Sequence, residues 1–364
     1  MRATCAVAVA VLLTASGCLR RTPAGFDASR ISDLSCRQLL TAADQPPAWI
    51  TPADLNGRFR LSRWCETVGP VFFKPRPDPV FDKPIDRLAI ISWNIHEGGG
   101  DVNELVRRLR RGEFTAGEPI DQFVLLLQEV TRRDSAVPRR IPRGYPAPRR
   151  IRSHSGSRAA DVPHFADDRF AVLYAPSMRN GQQHDEESEN AEDRGNAIVS
   201  TLPLQEARLI ELPLERQRRV AAAAVVAGHT GSGTHWRLDL VNVHLDTALA
   251  LFQGGPFAAR RRQAGALLES LRSSMDPSRG NTATVVAGDF NTWLGDREGA
   301  VHILRAAFPD TPASDRAPTW VGPLGLHATL DHIFIRGRVS PTRVTRLSSR
   351  FGSDHYPLLT VVRF

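Results

Sequence analysis

The sequence predicts a layered α/β sandwich, and three observations support it. Strand-like apolar runs outnumber helical ones along residues 87–364. Most of these runs are continuous rather than alternating, as expected of strands covered on both faces. Several meet acids, amides or imidazoles at one end, so a sheet built from them would present polar groups along one rim. With 41% hydrophobic and 24% charged residues, the composition is that of an ordinary globular protein with enough chain for a substantial core.

The first residues are not expected to belong to that fold. Arg2 precedes an apolar stretch over 5–13, of signal-peptide length and too short to cross a bilayer. It leads to Ala-Ser-Gly-Cys at 15–18, small residues before a cysteine in the manner of a bacterial lipobox, with Ala15 where leucine is usual. Residues 1–18 are therefore read as a leader, with Cys18 becoming the lipidated N-terminus; ordinary secretory cleavage is the alternative. Several acyl chains on one cysteine would hold an extracytoplasmic protein stably at a membrane. Of the four cysteines, Cys5 leaves with the leader and Cys18 takes lipid. Cys36 and Cys65 remain, an even pair in an oxidising compartment, and a disulfide is the economical inference. Two buried free thiols are the alternative.

Residues 19–86 read as a tether and a cysteine-linked lead-in. Ser32 and Asp33 are placed to cap a short helix reaching Ala42. The proline-rich stretch 70–84 reads as an extended strap whose Phe72, Phe73 and Phe81 pack on the main body. From Arg87 to the C-terminus the pattern is that of one catalytic domain. Runs at 88–95, 123–130, 169–175, 196–201, 219–227, 237–246 and 282–290 read as strands. Residues 102–111 fit an amphipathic helix with Val102, Leu105, Val106 and Leu109 on one face. A helix of about 18 residues is expected from Pro256.

The formal net charge of +8 invites a nucleic-acid partner. Only Lys74 and Lys83 are lysines, however, and an arginine skew with abundant Ala, Pro and Gly also reads as the coding bias of a GC-rich genome. Residues 131–158 gather Arg132, Arg133, Arg139, Arg140, Arg143, Arg149, Arg150, Arg152 and Arg158. Residues 185–193 gather Asp185, Glu186, Glu187, Glu189, Glu192 and Asp193. The basic loop suits a polyanion or anionic headgroups, or folds back on the acidic one.

The chemistry concentrates in short segments. Gly-Asp-Phe-Asn at 288–291, Leu-Asp-His-Ile-Phe at 330–334 and Ser-Asp-His-Tyr-Pro at 353–357 supply Asp289, Asn291, Asp331, Asp354 and His355. Trp93 and Asn94 end one strand run, and Gln128 and Glu129 end another. Arg194 and Asn196 open a third, and Asn242, His244 and Asp246 lie in a fourth. A carboxylate such as Glu129, following three leucines, is costly to bury without a metal or a basic partner. Oxygen ligands of this kind favour Mg²⁺ or Mn²⁺, with Ca²⁺ also compatible, over zinc. A histidine held by a carboxylate stays in one tautomer and tolerates a positive charge. No serine or cysteine nucleophile with a neighbouring base is legible, so direct attack by water on a phosphate ester is the reading. His302, His327 and His332 read as structural.

The ordered series Trp-Asn, Gln-Glu, Gly-Asn-Ala-Ile, Asn-Val-His-Leu-Asp, Gly-Asp-Phe-Asn, Leu-Asp-His-Ile-Phe and Ser-Asp-His-Tyr-Pro resembles the endonuclease/exonuclease/phosphatase superfamily, which includes deoxyribonuclease-I-like enzymes. The resemblance implies a four-layer α/β/β/α sandwich with two packed mixed sheets. It implies metal binding by Asn94 and Glu129, with Asp354 completing the acidic rim. Asp289 and Asn291 would position and polarise the attacking water, and His355 would act as base or as electrostatic partner of the phosphate oxygens. Asp331 would orient the His355 ring, and His244 would contact phosphate. In abasic-site endonucleases of this superfamily an acid stands two residues after the asparagine; here it is His96, which argues against a repair enzyme. The expected substrate is a phosphodiester. An extracytoplasmic nuclease is the first reading, favoured by the basic loop, and a phospholipid headgroup hydrolase the second, favoured by the membrane anchor. No aromatic hairpin suited to entering a bilayer is legible, which counts against a sphingomyelinase-like enzyme. A catalytically silent binding protein would have lost Glu129, Asp289, Asn291 or His355, and all four are present.

Overall fold

The computed structural model describes residues 27, 35–39, 45–52, 54–75, 83–141, 144–145, 161–165, 170–180, 191–247, 255–276, 278, 280, 282–315 and 317–364. The leader with Cys18, nearly all of the tether, Phe81 and most of the two charged loops lie outside the described residues.

In chain order the strands are β1 (Ala48–Ile50), β2 (Phe72–Lys74), β3 (Arg87–Asn94), β4 (Phe123–Arg132), β5 (Ala171–Asn180), β6 (Glu192–Ser200), β7 (Gln205–Glu211) and β8 (Val220–His229). They continue as β9 (His235–His244), β10 (Ala283–Asp289), β11 (Trp320–Val321), β12 (His327–Ala328), β13 (Asp331–Gly337), β14 (Ser340–Pro341), β15 (Thr345–Arg346) and β16 (Leu358–Arg363). The helices are α1 (Leu55–Cys65), α2 (Val102–Arg110), α3 (Val162–Phe165), α4 (Gly255–Leu271) and α5 (Gly299–Ala307). One sheet runs β1-β7-β8-β9-β10-β13. The other runs β14-β16-β3-β4-β6-β5-β2, with β15 on β16, and β11 and β12 form a separate hairpin. Both large sheets are mixed: β3 and β4 are parallel, as are β9 and β10, while β6, β8, β13 and β16 run antiparallel to their partners.

The continuous apolar runs have a simple origin. Successive residues of a strand point to opposite faces, and here both faces are covered. On β3, Leu88 and Ile90 join the core between the sheets with Val124, Leu126, Leu240 and Val285. Ala89, Ile91 and Trp93 pack on the other side against Val102, Leu105, Val106 and Leu109 of α2. On the far side of the second sheet, Val241, Val243 and Val286 pack against Ala264, Leu267 and Leu271 of α4 and Ala300, Val301 and Leu304 of α5. The result is the expected α/β/β/α sandwich. The lead-in is woven into it, with β1 pairing β7 in parallel and β2 pairing β5 antiparallel. Phe73 is buried there, and Phe72 packs against the α2-side core. Cys36 and Cys65 form a disulfide with Cα atoms 5.1 Å apart.

Several expectations need correction. Where a helix over 32–42 was expected, the described part is a single 3-10 turn at Ser35–Arg37, followed by a bridge from Leu39 to Val71. The helix of this region is instead α1, whose buried Leu61, Trp64 and Cys65 are spaced as one helical face. Arginines interleaved with that face, and Gly57 near its start, hide the period. Strand β7 and helix α5 also escaped the sequence reading. A hairpin formed by β11 and β12 stands at the rim with leucines rather than aromatics at its end, which does not contradict the reading that no aromatic hairpin is legible. Finally, Asp331 opens β13, and Asp354 and His355 precede β16, rather than ending apolar runs. Because β13 and β16 are antiparallel to β10 and β3, their starting ends lie beside the finishing ends of β10 and β3. Strand direction, rather than order of residues, creates the common rim.

Candidate active site

The centre of the rim is Asp289, the last residue of β10. In register it has His244 on β9 to one side and Asp331 on β13 to the other. The preceding Gly288 has no room for a side chain, because a Cβ would overlap the Val243 carbonyl, and this fixes the glycine of the Gly-Asp-Phe-Asn segment. Asp289 Oδ2 accepts from Asn94 Nδ2 at 2.9 Å, the bond by which the end of β3 in one sheet meets β10 in the other. Asp289 Oδ1 accepts from the Asn291 backbone N–H at 2.8 Å. Asn291 is held at φ 51°, a left-handed conformation that asparagine tolerates, and its Nδ2 donates to the Leu245 carbonyl at 3.0 Å.

His355 approaches from the segment before β16. Its Nδ1 lies 2.8 Å from Asp331 Oδ2, and both residues are buried. Ser353 fixes the turn, accepting from the His355 N–H at 3.0 Å and donating to the Asn94 carbonyl at 2.7 Å. Thr319 Oγ1 accepts from the N–H groups of Leu330 and Asp331, locking the start of β13. With Nδ1 given to Asp331, Nε2 faces Asp289 Oδ2 at 3.8 Å and Asp354 Oδ1 at 3.9 Å. Burial opposes a charged imidazole, but Asp331, Asp289 and Asp354 outweigh it and raise the His355 pKa to about 10. Burial raises Asp289 to about 7, with Asp331 adding to the effect while His355 and the bonds from Asn94 and Asn291 oppose it. His244 goes the other way. Burial, with Arg219, Arg194 and His355 nearby, lowers it well below the usual histidine range, so it is neutral at physiological pH. Its Nε2 lies 3.5 Å from Asp289 Oδ2.

Glu129 sits at a β-bulge of β4 with φ 58°. Bulges re-aim a side chain, and a strained non-glycine residue at such a position points to function. Its Oε2 accepts from the Glu97 N–H at 3.2 Å and from Arg194 Nη1 at 3.3 Å. Burial alone would raise its pKa, but Arg194, His96 and Arg219 reverse the balance and lower it, so the carboxylate is ionised. Asp354 pairs through Oδ1 with His96 Nδ1 at 3.0 Å and accepts through Oδ2 from Trp320 Nε1 at 2.9 Å. Burial works against its charge too, yet His96, His355 and Trp320 bring its pKa down to about 2. The bond to Asp354 chiefly raises His96.

All eight residues singled out for chemistry thus meet on one rim, although Asn94 and Asp289 are 195 positions apart in the chain. Of the other polar groups flagged in the sequence, Arg194 joins the site through Glu129, whereas Gln128, Asn196, Asn242, Asp246 and His332 serve the scaffold. Gln128 Nε2 donates to Asn242 Oδ1 at 2.7 Å, tying the two sheets together, and Asn196 Nδ2 donates to the Val220 carbonyl at 2.8 Å. Asp246 accepts from the N–H groups of Arg216 and Gln217. His332 is buried between Phe290 and Phe334, with Nε2 2.8 Å from Thr292 Oγ1. Two participants were missed or undervalued. Arg219 is buried, and its charge acts on Glu129, His244 and Asp289. Trp320 holds Asp354. Neither announces itself locally, since Arg219 only flanks an alanine-rich strand and Trp320 lies in an uncharged loop.

The donor set fits a hard divalent cation. The Asn94 amide oxygen and the Glu129 and Asp354 carboxylates are oxygen donors at the mouth of the rim, with no thiolate among them. Asp331 Oδ1 is buried without a hydrogen-bond partner. A separate cluster, Asp289, Asp331 and His355, has ligand-capable atoms within 4.8 Å of one another, and there the His355 imidazolium already offsets the carboxylates.

Comparison with known proteins agrees with this geometry. The sequence model described as the Endonuclease/Exonuclease/phosphatase family matches residues 91–355. No curated protein sequence matches the chain significantly. Among solved structures, an endonuclease/exonuclease/phosphatase from Beutenbergia cavernae is similar, with TM-score 0.51 and 17% identity over 77% of this chain and 72% of that one. A family protein from Leptotrichia buccalis gives TM-score 0.47 and 11% identity over 76% of this chain and 100% of that one. Sphingomyelinase C from Streptomyces griseocarneus gives TM-score 0.43 and 17% identity over 76% and 99%. The family match spans most of the chain and both sheets that build the rim, and the chain belongs to the endonuclease/exonuclease/phosphatase family.

Proposed function

We propose that the protein is a divalent-metal-dependent phosphodiester hydrolase in which water attacks phosphorus directly. The observation that supports this best is the Asp331–His355 pair set against Asp289 where the two sheets meet. Asp289, with a pKa raised to about 7, is poised to take a proton from water near neutral pH. Asn291 holds its carboxylate in place. As oxygen bonds to phosphorus, the phosphorus–oxygen bond to the leaving group breaks and negative charge grows on the phosphoryl oxygens. His355, cationic and held by Asp331, stabilises that charge, with neutral His244 and the guanidinium groups of Arg194 and Arg219 beside it. Glu129, Asn94 and Asp354 would hold Mg²⁺ or Mn²⁺, which neutralises charge on the phosphoryl and leaving oxygens.

Two substrate readings differ in their support. The net charge of +8 favours nucleic acid. Within the described part of the arginine-rich loop, however, Arg132 is buried in an ion pair with Asp193 at 2.5 Å, and Arg133 meets Glu192 at 3.4 Å. Here the basic segment folds back on the acidic one. The uncharged segment 317–330 beside the rim, with Leu324 and Leu326 exposed, favours a phospholipid headgroup.

Turnover of supercoiled plasmid and of phospholipid vesicles by the full chain, each with Mg²⁺ or with EDTA, tests the proposal. Activity that survives EDTA, or persists in His355→Ala, would sink it. The lipidated, extracytoplasmic placement is a separate part of the proposal. It requires Cys18→Ala to leave the membrane fraction, and unchanged fractionation would count against lipid at Cys18.

A further inference from the structure

Among the described residues six large apolar side chains are exposed, and four of them lie on two loops at the catalytic rim: Trp293, Leu294, Leu324 and Leu326. Leu324 is 102% exposed and Leu326 60%. Both stand at the end of the β11–β12 hairpin, within residues 317–330, which contain no Asp, Glu, Lys or Arg in a chain that is 24% charged.

Local physics does not explain the leucine at the tip. Leu324 has φ 59° and ψ 22°, a left-handed turn conformation that glycine, asparagine or aspartate adopts at lower cost. Its side chain recovers nothing from burial within the chain. A single exposed leucine would be ordinary, but a strained one gathered with Leu326, Trp293 and Leu294 beside the same rim points to a partner outside the chain.

The hairpin is also wired to the chemistry. The Val321 N–H donates to the Asp354 carbonyl at 3.0 Å, and the Tyr356 N–H donates to the Thr319 carbonyl at 2.7 Å. Trp320 donates to Asp354 Oδ2 and meets Trp293 edge-on, with ring centroids 5.1 Å apart. Trp293 is two residues beyond Asn291. Cations flank this base: Arg346 lies 4.0 Å over the Tyr356 ring and Arg350 5.7 Å from it, and Arg297 is exposed on the Trp293 loop. From tip to base the sequence is aliphatic, then indole, then guanidinium. A bilayer leaflet presents the matching order: acyl chains, the interfacial zone that favours tryptophan, and phosphates.

We infer that the β11–β12 hairpin, with Trp293 and Leu294, is a docking surface for a phospholipid bilayer. It seats the rim at headgroup level, where the phosphodiester of a lipid lies. The inference rests on the phosphodiesterase reading for what happens after docking, but docking itself is independent of turnover. Single-stranded nucleic acid would require stacking planes and cations at the tip, and the leucines offer neither.

The test is flotation of residues 19–364, which carry neither the apolar leader nor Cys18, with phosphatidylcholine vesicles in EDTA. The comparison is Leu324→Asn with Leu326→Ser; asparagine suits φ 59°, and an unchanged melting temperature certifies the fold. If that pair fails to fold, Leu324→Asn alone serves. The parent should float and the double variant should lose about 100-fold in partitioning, tenfold for each leucine. A parent that does not float, or a variant that floats equally, overturns the inference. Binding that needs phosphatidylserine, vanishes in high salt and ignores the leucines also overturns it, as does a soluble dimer that the variant dissolves. A parent that floats but hydrolyses neither lipid nor plasmid, given Mg²⁺, would keep the docking surface and refute the hydrolase.

Discussion

Asp331→Asn tests the centre of the proposed chemistry without changing the size of any side chain. In the wild-type protein the carboxylate lies 2.8 Å from His355 Nδ1, with both groups buried. The His355 pKa stands at about 10 against 6.5 for an unperturbed imidazole. At 1.36 kcal/mol for each pH unit, the surroundings favour the imidazolium by about 5 kcal/mol. Asp331 leads the groups responsible, and a charge-assisted hydrogen bond contributes about 1.5–3 kcal/mol. Losing it should bring His355 down by about 1–2 pH units. The imidazolium would also lose the partner that fixes its ring, and the rate should fall by about 10²–10⁴. The sign for stability follows from the direction of the shift. A histidine raised in the folded state contributes stability that is complete below its unfolded pKa and is lost as pH rises through about 10. Asp331→Asn should therefore melt lower at pH 7 and vary less with pH on the alkaline side. The assay is kcat/KM against pH at fixed saturating Mg²⁺, with an NMR titration of the His355 ring. A basic limb and a ring titration that stay in place, with a rate within threefold of wild type, would refute the reasoning.

Three other perturbations probe separate parts of the structure. Asp289→Asn should lower turnover by about 10²–10⁴, yet melt higher than wild type above pH 7 in EDTA. A carboxyl raised to about 7 loses stability for the fold as pH climbs from its unfolded value, and the amide has no such loss; an unchanged melting curve would show the burial argument to be wrong. Glu129→Gln should abolish the rise in melting temperature that Mg²⁺ gives a protein binding it only when folded, and an equal rise in the variant would remove Glu129 from the metal site. Replacing Cys36 and Cys65 together by serine opens a loop with a sequence separation of 29. That should cost about 3–4 kcal/mol, read as a lower denaturation midpoint, while kcat is unaffected.

The layered α/β class, strands β3, β4, β8, β9 and β10, and the face of α2 were legible because local sequence alone dictates them: side chains of period two buried on both sides, or one apolar stripe of helical period. The chemical inventory was legible for the same reason, since buried strands do not end in Asp, Asn and His without partners. Helix α1 and strand β7 were not legible, because interleaved arginines and a short span blur their periods and packing alone selects them. Nor could local sequence place Asp331 and His355 beside Asp289, since that depends on β13 and β16 running antiparallel to their neighbours. The same holds for Arg219, whose charge matters because antiparallel β8 starts where β9 finishes. Leu324 is the clearest case. In the sequence it is one apolar residue in a glycine-rich loop, and only the fold leaves it in solvent beside the catalytic rim. Residue types and short-range periodicity therefore determined which elements and functional groups exist. The direction in which each strand crosses its sheet, a long-range property no local segment contains, decided which of those groups share a site and what surface surrounds it.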